Sequence, residues 1–184
     1  MEVPFFVLAT QNPIETLGTY TLPEAQVDRF LFKLLMDYPS KEEEKKIIEQ
    51  NVTINIFEDY KLSPVLSPNR IIELQQLTKK IAHTDKIKEY IVNIVDSTRH
   101  PDKYSIKMGK YIELGSSPRA SISLFIAAKA DALLKGDTFL KPQHVKNIAY
   151  DVLRHRIILN YTGQAEGIKI EELIAEILAK VPIP

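Results

Sequence analysis

The 184 residues contain no cysteine and no tryptophan, and only six are glycine. Without cysteine there is no disulfide, thiol nucleophile, zinc–thiolate site or iron–sulfur cluster, a composition that fits a reducing cytosol. Histidine is also sparse: His83, His100, His144 and His155 lie 17, 44 and 11 positions apart. No two therefore have the three-to-five spacing that puts two imidazoles on one helical face, and no resident metal is expected. An excess of either charge is missing, since 24 Lys and Arg balance 24 Asp and Glu. No global basic field exists to hold a nucleic acid or an anionic membrane. Long hydrophobic runs are absent too, none approaching the ~20 apolar residues of a transmembrane helix. The run at residues 3–9 is broken by Pro4 and preceded by Glu2, so it lacks the basic start and the length of a signal peptide. The expectation is a cytoplasmic protein with no membrane insertion and no nucleic-acid partner.

What is present is patterned. Phe5-Phe6-Val7-Leu8-Ala9 is a continuous apolar run, the pattern of a strand buried on both faces of a parallel sheet, and it ends in polar Thr10-Gln11-Asn12-Pro13. Open α/β sheets bind ligands at such carboxyl ends. A second run, Phe30-Leu31-Phe32-Lys33-Leu34-Leu35-Met36, predicts another strand, with a Gly18-containing loop and a short helix from Pro23-Glu24 between the two. Two strands do not complete a parallel sheet, so residues 1–38 are expected to be the tail end of an α/β domain.

After Tyr38-Pro39 the periodicity becomes helical. Ser40-Lys41-Glu42-Glu43 is a capping box, and the domain boundary is placed there, with residues 39–184 as a second, helical domain. Helices are predicted at Ile71, Leu74, Ile81 and at Ile87, Ile91, Ile94, Val95, the latter capped by Asp85. Ser117-Pro118 supplies an N-cap and a first-turn proline for a helix through about Leu134. Two more follow, one after Pro142 with Val145, Ile148, Ala149, Val152 and Leu153, and one carrying Ile170, Leu173, Ile174, Ile177 and Leu178. Residues 103–116 are expected to form a small hairpin.

Three residues could carry chemistry. Asn12, just past the first run, can orient water or a phosphate oxygen, or simply cap a turn before Pro13. Arg29 can meet an anion, or pair with Asp28 or Glu24. Arg119 is a cation in the first turn of a helix, facing the positive end of its dipole, where an acid is normally preferred. An anion held there would bring backbone donors, dipole and guanidinium together on one phosphate, although a surface arginine in a first turn is common.

The order of these features carries a resemblance. Phe6-Val7-Leu8-Ala9-Thr10-Gln11-Asn12-Pro13-Ile14-Glu15, Gly18-Thr19-Tyr20, Leu22-Pro23-Glu24-Ala25-Gln26, Asp28-Arg29-Phe30, Gly115-Ser116-Ser117-Pro118-Arg119-Ala120 and Asp151-Val152-Leu153-Arg154-His155-Arg156 closely resemble the C-terminal part of the MoxR family of AAA+ ATPases. The resemblance covers essentially the whole chain. It implies a mostly α structure: a helical AAA+ lid preceded by a two-strand remnant of a parallel α/β P-loop ATPase core. It implies ATP and Mg²⁺ as cofactors, with Asn12 as the sensor-one residue that positions the attacking water. Arg29 would be the arginine finger offered to a neighbouring subunit, and Arg119 the sensor-two arginine of the lid. Arg154, His155 and Arg156 read equally well as complement to the dipole at a helix end or, on this resemblance, as contacts to nucleotide or a neighbouring subunit. It further implies a homo-oligomeric ring, expected to be a hexamer, acting as a chaperone-like factor on partner proteins, some containing a von Willebrand factor A domain.

The departures matter as much. The family's G-x-x-x-x-G-K-[ST] loop and its acidic Mg²⁺-binding strand end do not occur in these residues. Gly109-Lys110 is followed by Tyr111, and Tyr104 stands where that motif needs its first glycine. The chain is thus expected to be a C-terminal portion that does not hydrolyse ATP alone. Two other readings remain. One is a non-enzymatic helical protein-interaction module, or a helix-turn-helix DNA-binding module at residues 67–100, the latter disfavoured because Lys86, Lys88 and Arg99 are offset by Glu89 and Asp96. The other is a regulator that joins complete subunits and supplies Arg29 in trans.

Overall fold

The computed structural model describes residues 4–11, 22–51 and 62–184. Its helices are α1 (Glu24–Val27), α2 (Lys41–Asn51), α3 (Pro68–Lys80), α4 (Asp85–Arg99), α5 (Pro118–Leu134), α6 (Pro142–Leu153), α7 (Tyr161–Ala165) and α8 (Ile170–Lys180). Strands β1 (Ile112–Leu114) and β2 (Ile158–Leu159) form an antiparallel pair. The mostly α architecture is the one expected.

Caps explain where the helices begin. Ser40 N–H donates to the Glu43 carboxylate at 2.8 Å and Ser40 Oγ accepts from Glu43 N–H, the reciprocal box expected for α2. Ser67 and Ser117 cap α3 and α5, each followed by a proline at the first helical position. For α4 the cap is Thr84, whose Oγ1 accepts from Ile87 N–H at 3.4 Å, and not Asp85, which is already helical. Thr84 holds the extended backbone a cap requires, and its hydroxyl reaches the free amide.

The core is built from four helices. Ile87, Ile91, Ile94 and Val95 of α4, Leu124 and Ala128 of α5, Val145, Ala149 and Val152 of α6, and Leu173, Ile174 and Ile177 of α8 are all buried. The alanine face of α5, with Ala120, Ala127 and Ala128 buried, lets α5 lie close along α6, its most extensively contacted neighbour.

Two further expectations are corrected. Residues 103–116 form no hairpin: 3₁₀ turns at Pro101–Tyr104 and Lys107–Tyr111 lead into β1, which pairs with distant β2. The Glu176 carboxylate of α8 accepts both the Lys107 and Met108 amides at 2.8 and 2.9 Å, giving these backbone groups a partner other than a hairpin ladder. Second, the described part of the apolar runs at 5–9 and 30–36 carries no strand, and Phe6, Leu8 and Met36 are exposed. A parallel strand satisfies its backbone only through a neighbouring strand, and among the described residues neither run has one. The second run gives its backbone elsewhere, to side chains at the end of α6.

Candidate functional site

The antiparallel pairing assembles the site. With Leu114 opposite Ile158, the chain leaving β1 passes beside the chain entering β2, which brings Ser117–Arg119 next to Arg154–Arg156. Gly115 lies against the end of α4, where a Cβ would stand 2.4 Å from the Thr98 carbonyl oxygen. The next residue, Ser116, donates its amide to Thr98 Oγ1 at 2.9 Å. These contacts fix the start of α5 in space. Ser117 Oγ accepts from Arg119 N–H at 3.2 Å, and the Arg119 side chain projects from the first turn, 52 % exposed.

Asp28 lies at the centre. One carboxylate oxygen accepts from Arg156 Nε at 3.0 Å; the other accepts from Ser117 Oγ at 2.9 Å and lies 4.0 Å from Arg119 Nε. The carboxylate is three-quarters covered, whereas the Arg156 side chain is only 1 % exposed. Such a buried guanidinium needs a charge partner and acceptors for its remaining N–H groups. Arg156 has both. Nη2 donates to the backbone oxygens of Asp28 at 3.0 Å and Phe30 at 2.6 Å and to Ser123 Oγ at 3.2 Å, while Nη1 donates to the oxygens of Leu31 and Val152. Six acceptors face five N–H groups, so at least one donor is shared.

Its neighbours grip the same segment. His155 Nε2 donates to the Phe30 oxygen at 3.1 Å. Arg154 Nη1 donates to the Lys33 oxygen and to Asp151, its Nε donates to Glu171, and the Lys33 amide donates to the Asp151 oxygen at 2.9 Å. Burial, then the adjacent Arg156 charge, lowers the His155 pKa to about 4, so the imidazole is neutral at pH 7 with its proton on Nε2. Its Nδ1 is buried without a partner among the described residues. Residues 28–33 thus run as a strap across the end of α6, held mainly through backbone atoms.

Of the three candidate residues, Asn12 lies outside the described residues, as does the Gly18 loop. Arg29 and Arg119 are brought to the same region. Arg29 does not pair with Asp28 or Glu24: Asp28 is taken by Arg156, and the Arg29 side chain is exposed with no hydrogen-bond or ion-pair partner among the described residues. Asp28 and Arg156 are the residues that sequence reasoning missed. The visible signal was the Arg154-His155-Arg156 run after an amphipathic helix, but the dipole reading needed only one of its charges, and nothing local pointed to a partner 128 positions away. Among the described residues no three His, Asp or Glu converge as a metal site, so these side chains supply no ligand set for Mg²⁺.

Known proteins match in the same two regions. Residues 108–177 match the AAA lid domain, and residues 1–32 match the ATPase family associated with various cellular activities (AAA). Chaperone MoxR1 of Mycobacterium tuberculosis is 40% identical across 100% of this chain and 48% of its own length. The chain is similar along its whole length to MoxR proteins of the AAA+ ATPases. The uncharacterized protein YeaC of Bacillus subtilis is 43% identical over 98% of this chain and 53% of its own. Protein MoxR of Paracoccus denitrificans is 28% identical over 97% of this chain and 56% of its own. A crystal structure of a proposed ATPase from Cytophaga hutchinsonii superposes with a TM-score of 0.91 at 40% identity, covering 100% of this chain and 56% of that one. The chain therefore spans about half the length of the relatives it matches. The lid match takes in β1, α5, α6, β2, α7 and most of α8, whereas the core match contains α1 and ends at residue 32.

Proposed function

We propose that these residues are the sensor-one, arginine-finger and lid portion of an AAA+ ATPase that couples ATP binding and hydrolysis to chaperone-like remodelling of partner proteins. The core contribution would span residues 1–38 and the lid residues 39–184. The observation that carries this reading is the Asp28 node. It ties the segment bearing Arg29 to the first turn of α5, while the guanidinium of Arg29 has no partner among the described residues and that of Arg119 is half exposed. Two exposed cations on a fixed frame suit phosphate oxygens, which a rigid planar fork meets with paired hydrogen bonds.

In this reading Arg29 serves the nucleotide of a neighbouring copy in a ring, six copies being expected. It would stabilise the negative charge spread over the transferring phosphoryl group, an effect of ~10³–10⁵ in rate in other NTPases. Arg119 contacts the phosphates of the copy's own nucleotide and moves the lid with them, and Asn12 orients the attacking water. Mg²⁺ and the phosphate cradle come from residues other than those described. The proteins remodelled would include partners with a von Willebrand factor A domain, as the resemblance implies.

Mixing this chain with a complete, ATP-hydrolysing relative tests the reading. Copies that co-assemble present Arg29 to an intact neighbouring nucleotide and change the rate per complete subunit. Arg29→Ala is expected to abolish that contribution, and Arg119→Ala to alter its nucleotide dependence. A rate unaffected at every mixing ratio, with co-assembly verified by sedimentation, overturns the proposal.

A further inference from the structure

The two residues that flank Arg29 are both held by one side chain. Arg156 takes the Asp28 carboxylate through Nε and the Asp28 and Phe30 backbone oxygens through Nη2, with His155 as a second donor to Phe30. Among the described residues Arg29, between them, makes one bond, its amide to the Gln26 oxygen at 3.2 Å, and its guanidinium has no partner there. A short helix of four residues precedes it and no strand follows, so neither adjoining element fixes its direction. Arg156 is anchored in the lid, through the Val152 oxygen and Ser123 of two core helices.

We propose that Arg156 is the positioning residue for Arg29: by clamping the residues on either side of it, the lid sets the direction in which the Arg29 guanidinium projects. The role rests on the reading of Arg29 as a donor to a phosphate. Its consequence is that finger and lid move as one body. A rotation of α5 and α6 driven by a nucleotide at Arg119 carries Arg29 with it, so the state of one site is passed to the next. The coupling element is a set of charge-assisted hydrogen bonds to backbone oxygens, which hold position without depending on the side chains of residues 30 and 31.

The test uses Arg156→Lys, which keeps the charge but cannot reach carboxylate and carbonyls together. In the wild-type chain, amide order parameters for residues 28–31 are expected near the rigid value of about 0.85; in Arg156→Lys they should fall below about 0.6, with the amides of α4, α5 and α8 unchanged. In the mixing assay the same substitution should lower the maximal rate contributed by the chain at least tenfold, leaving the KM for ATP unchanged, as expected for a misdirected finger in a folded chain. A strap that stays rigid in Arg156→Lys overturns the proposal, as does a loose strap with full rate contribution. Should Arg156→Lys not fold, Asp28→Asn, which keeps the carbonyl contacts, is expected to lower the same order parameters by a smaller amount; no change there overturns the proposal. The relaxation measurement needs no nucleotide. A clamp seen by relaxation together with a wild-type chain that never affects the rate overturns the phosphate role of Arg29 and with it this one, whereas a rigid strap in the variant overturns the clamp alone.

Discussion

Arg156 and Arg119 share one carboxylate and differ in everything that decides a mutational effect. Arg156 is 1 % exposed and bonded to a charge and several backbone oxygens; Arg119 is 52 % exposed and 4.0 Å from its partner. Removing the first leaves the Asp28 carboxylate with only the Ser117 hydroxyl and the more distant Arg119, and takes the donor from the Asp28 and Leu31 backbone oxygens, so Arg156→Ala should lower stability by about 3–5 kcal/mol in urea titration. Removing the second exposes nothing new, and Arg119→Ala should stay within about 0.5 kcal/mol of the wild type. His155 adds a pH dependence. Its folded pKa, about 4, lies below the ordinary 6.5, with burial as the main cause and the charges of Arg156 and Lys33 adding to it against Asp28. The unfolded chain therefore binds the proton first. Its contribution to stability is complete above pH 6.5 and is lost as pH falls toward 4. Thermal midpoints should fall between pH 7 and pH 5, and the fall should be shallower in His155→Gln.

At the scale of the elements, two contacts decide how the lid is joined. Gly115 passes the end of α4 where a Cβ would meet the Thr98 carbonyl oxygen at 2.4 Å and its carbon at 2.6 Å. Backbone atoms cannot rotate aside, so Gly115→Ala should cost about 1–3 kcal/mol and displace the start of α5, read as a shift of the Arg119 amide signal. Glu176 holds the turn at residues 107–111 through two backbone amides. Its neutral isostere has one acceptor oxygen in place of two, so Glu176→Gln should lower stability by about 1–3 kcal/mol in chemical denaturation while leaving the exchange protection of α5 and α6 intact. The sequence marked the ends of most helices well, because serine caps and first-turn prolines act locally. It misplaced the α4 cap by one residue and read residues 103–116 as a hairpin, since β1 owes its partner to a pairing with residue 158.

The whole molecule divides by how its backbone is satisfied. Residues of α4, α5, α6 and α8 bury Ile94, Val95, Leu124, Ala149 and Ile174 completely, whereas residues 5–11 and 34–38 are exposed and unpaired in any ladder. Amide hydrogen exchange should therefore be slowest in the four core helices and fast in residues 5–11 and 34–38. Lys33 should stand out as a protected amide in the strap, because it alone there donates to α6, through the Asp151 oxygen. Uniform protection across residues 5–38 would contradict this division.

Several properties follow from the sequence alone. The ordered motifs from Phe6 to Arg156 carried the resemblance to MoxR-type AAA+ ATPases and to their lid, while capping and periodicity were enough to mark the helices, because those signals depend on near neighbours. Arg29 and Arg119 could be singled out as exposed cations in that order, though each also had a local salt-bridge or surface reading. Tertiary structure decided between those readings. Asp28 turned out to serve Arg156, leaving Arg29 without a partner among the described residues, and the three residues after α6 turned out to hold a strap more than a hundred positions earlier. The physical reason is that a buried guanidinium takes whichever oxygens the fold brings within about 3 Å of it, and that list is written by the packing of α4, α5 and α6 and by one antiparallel strand pair.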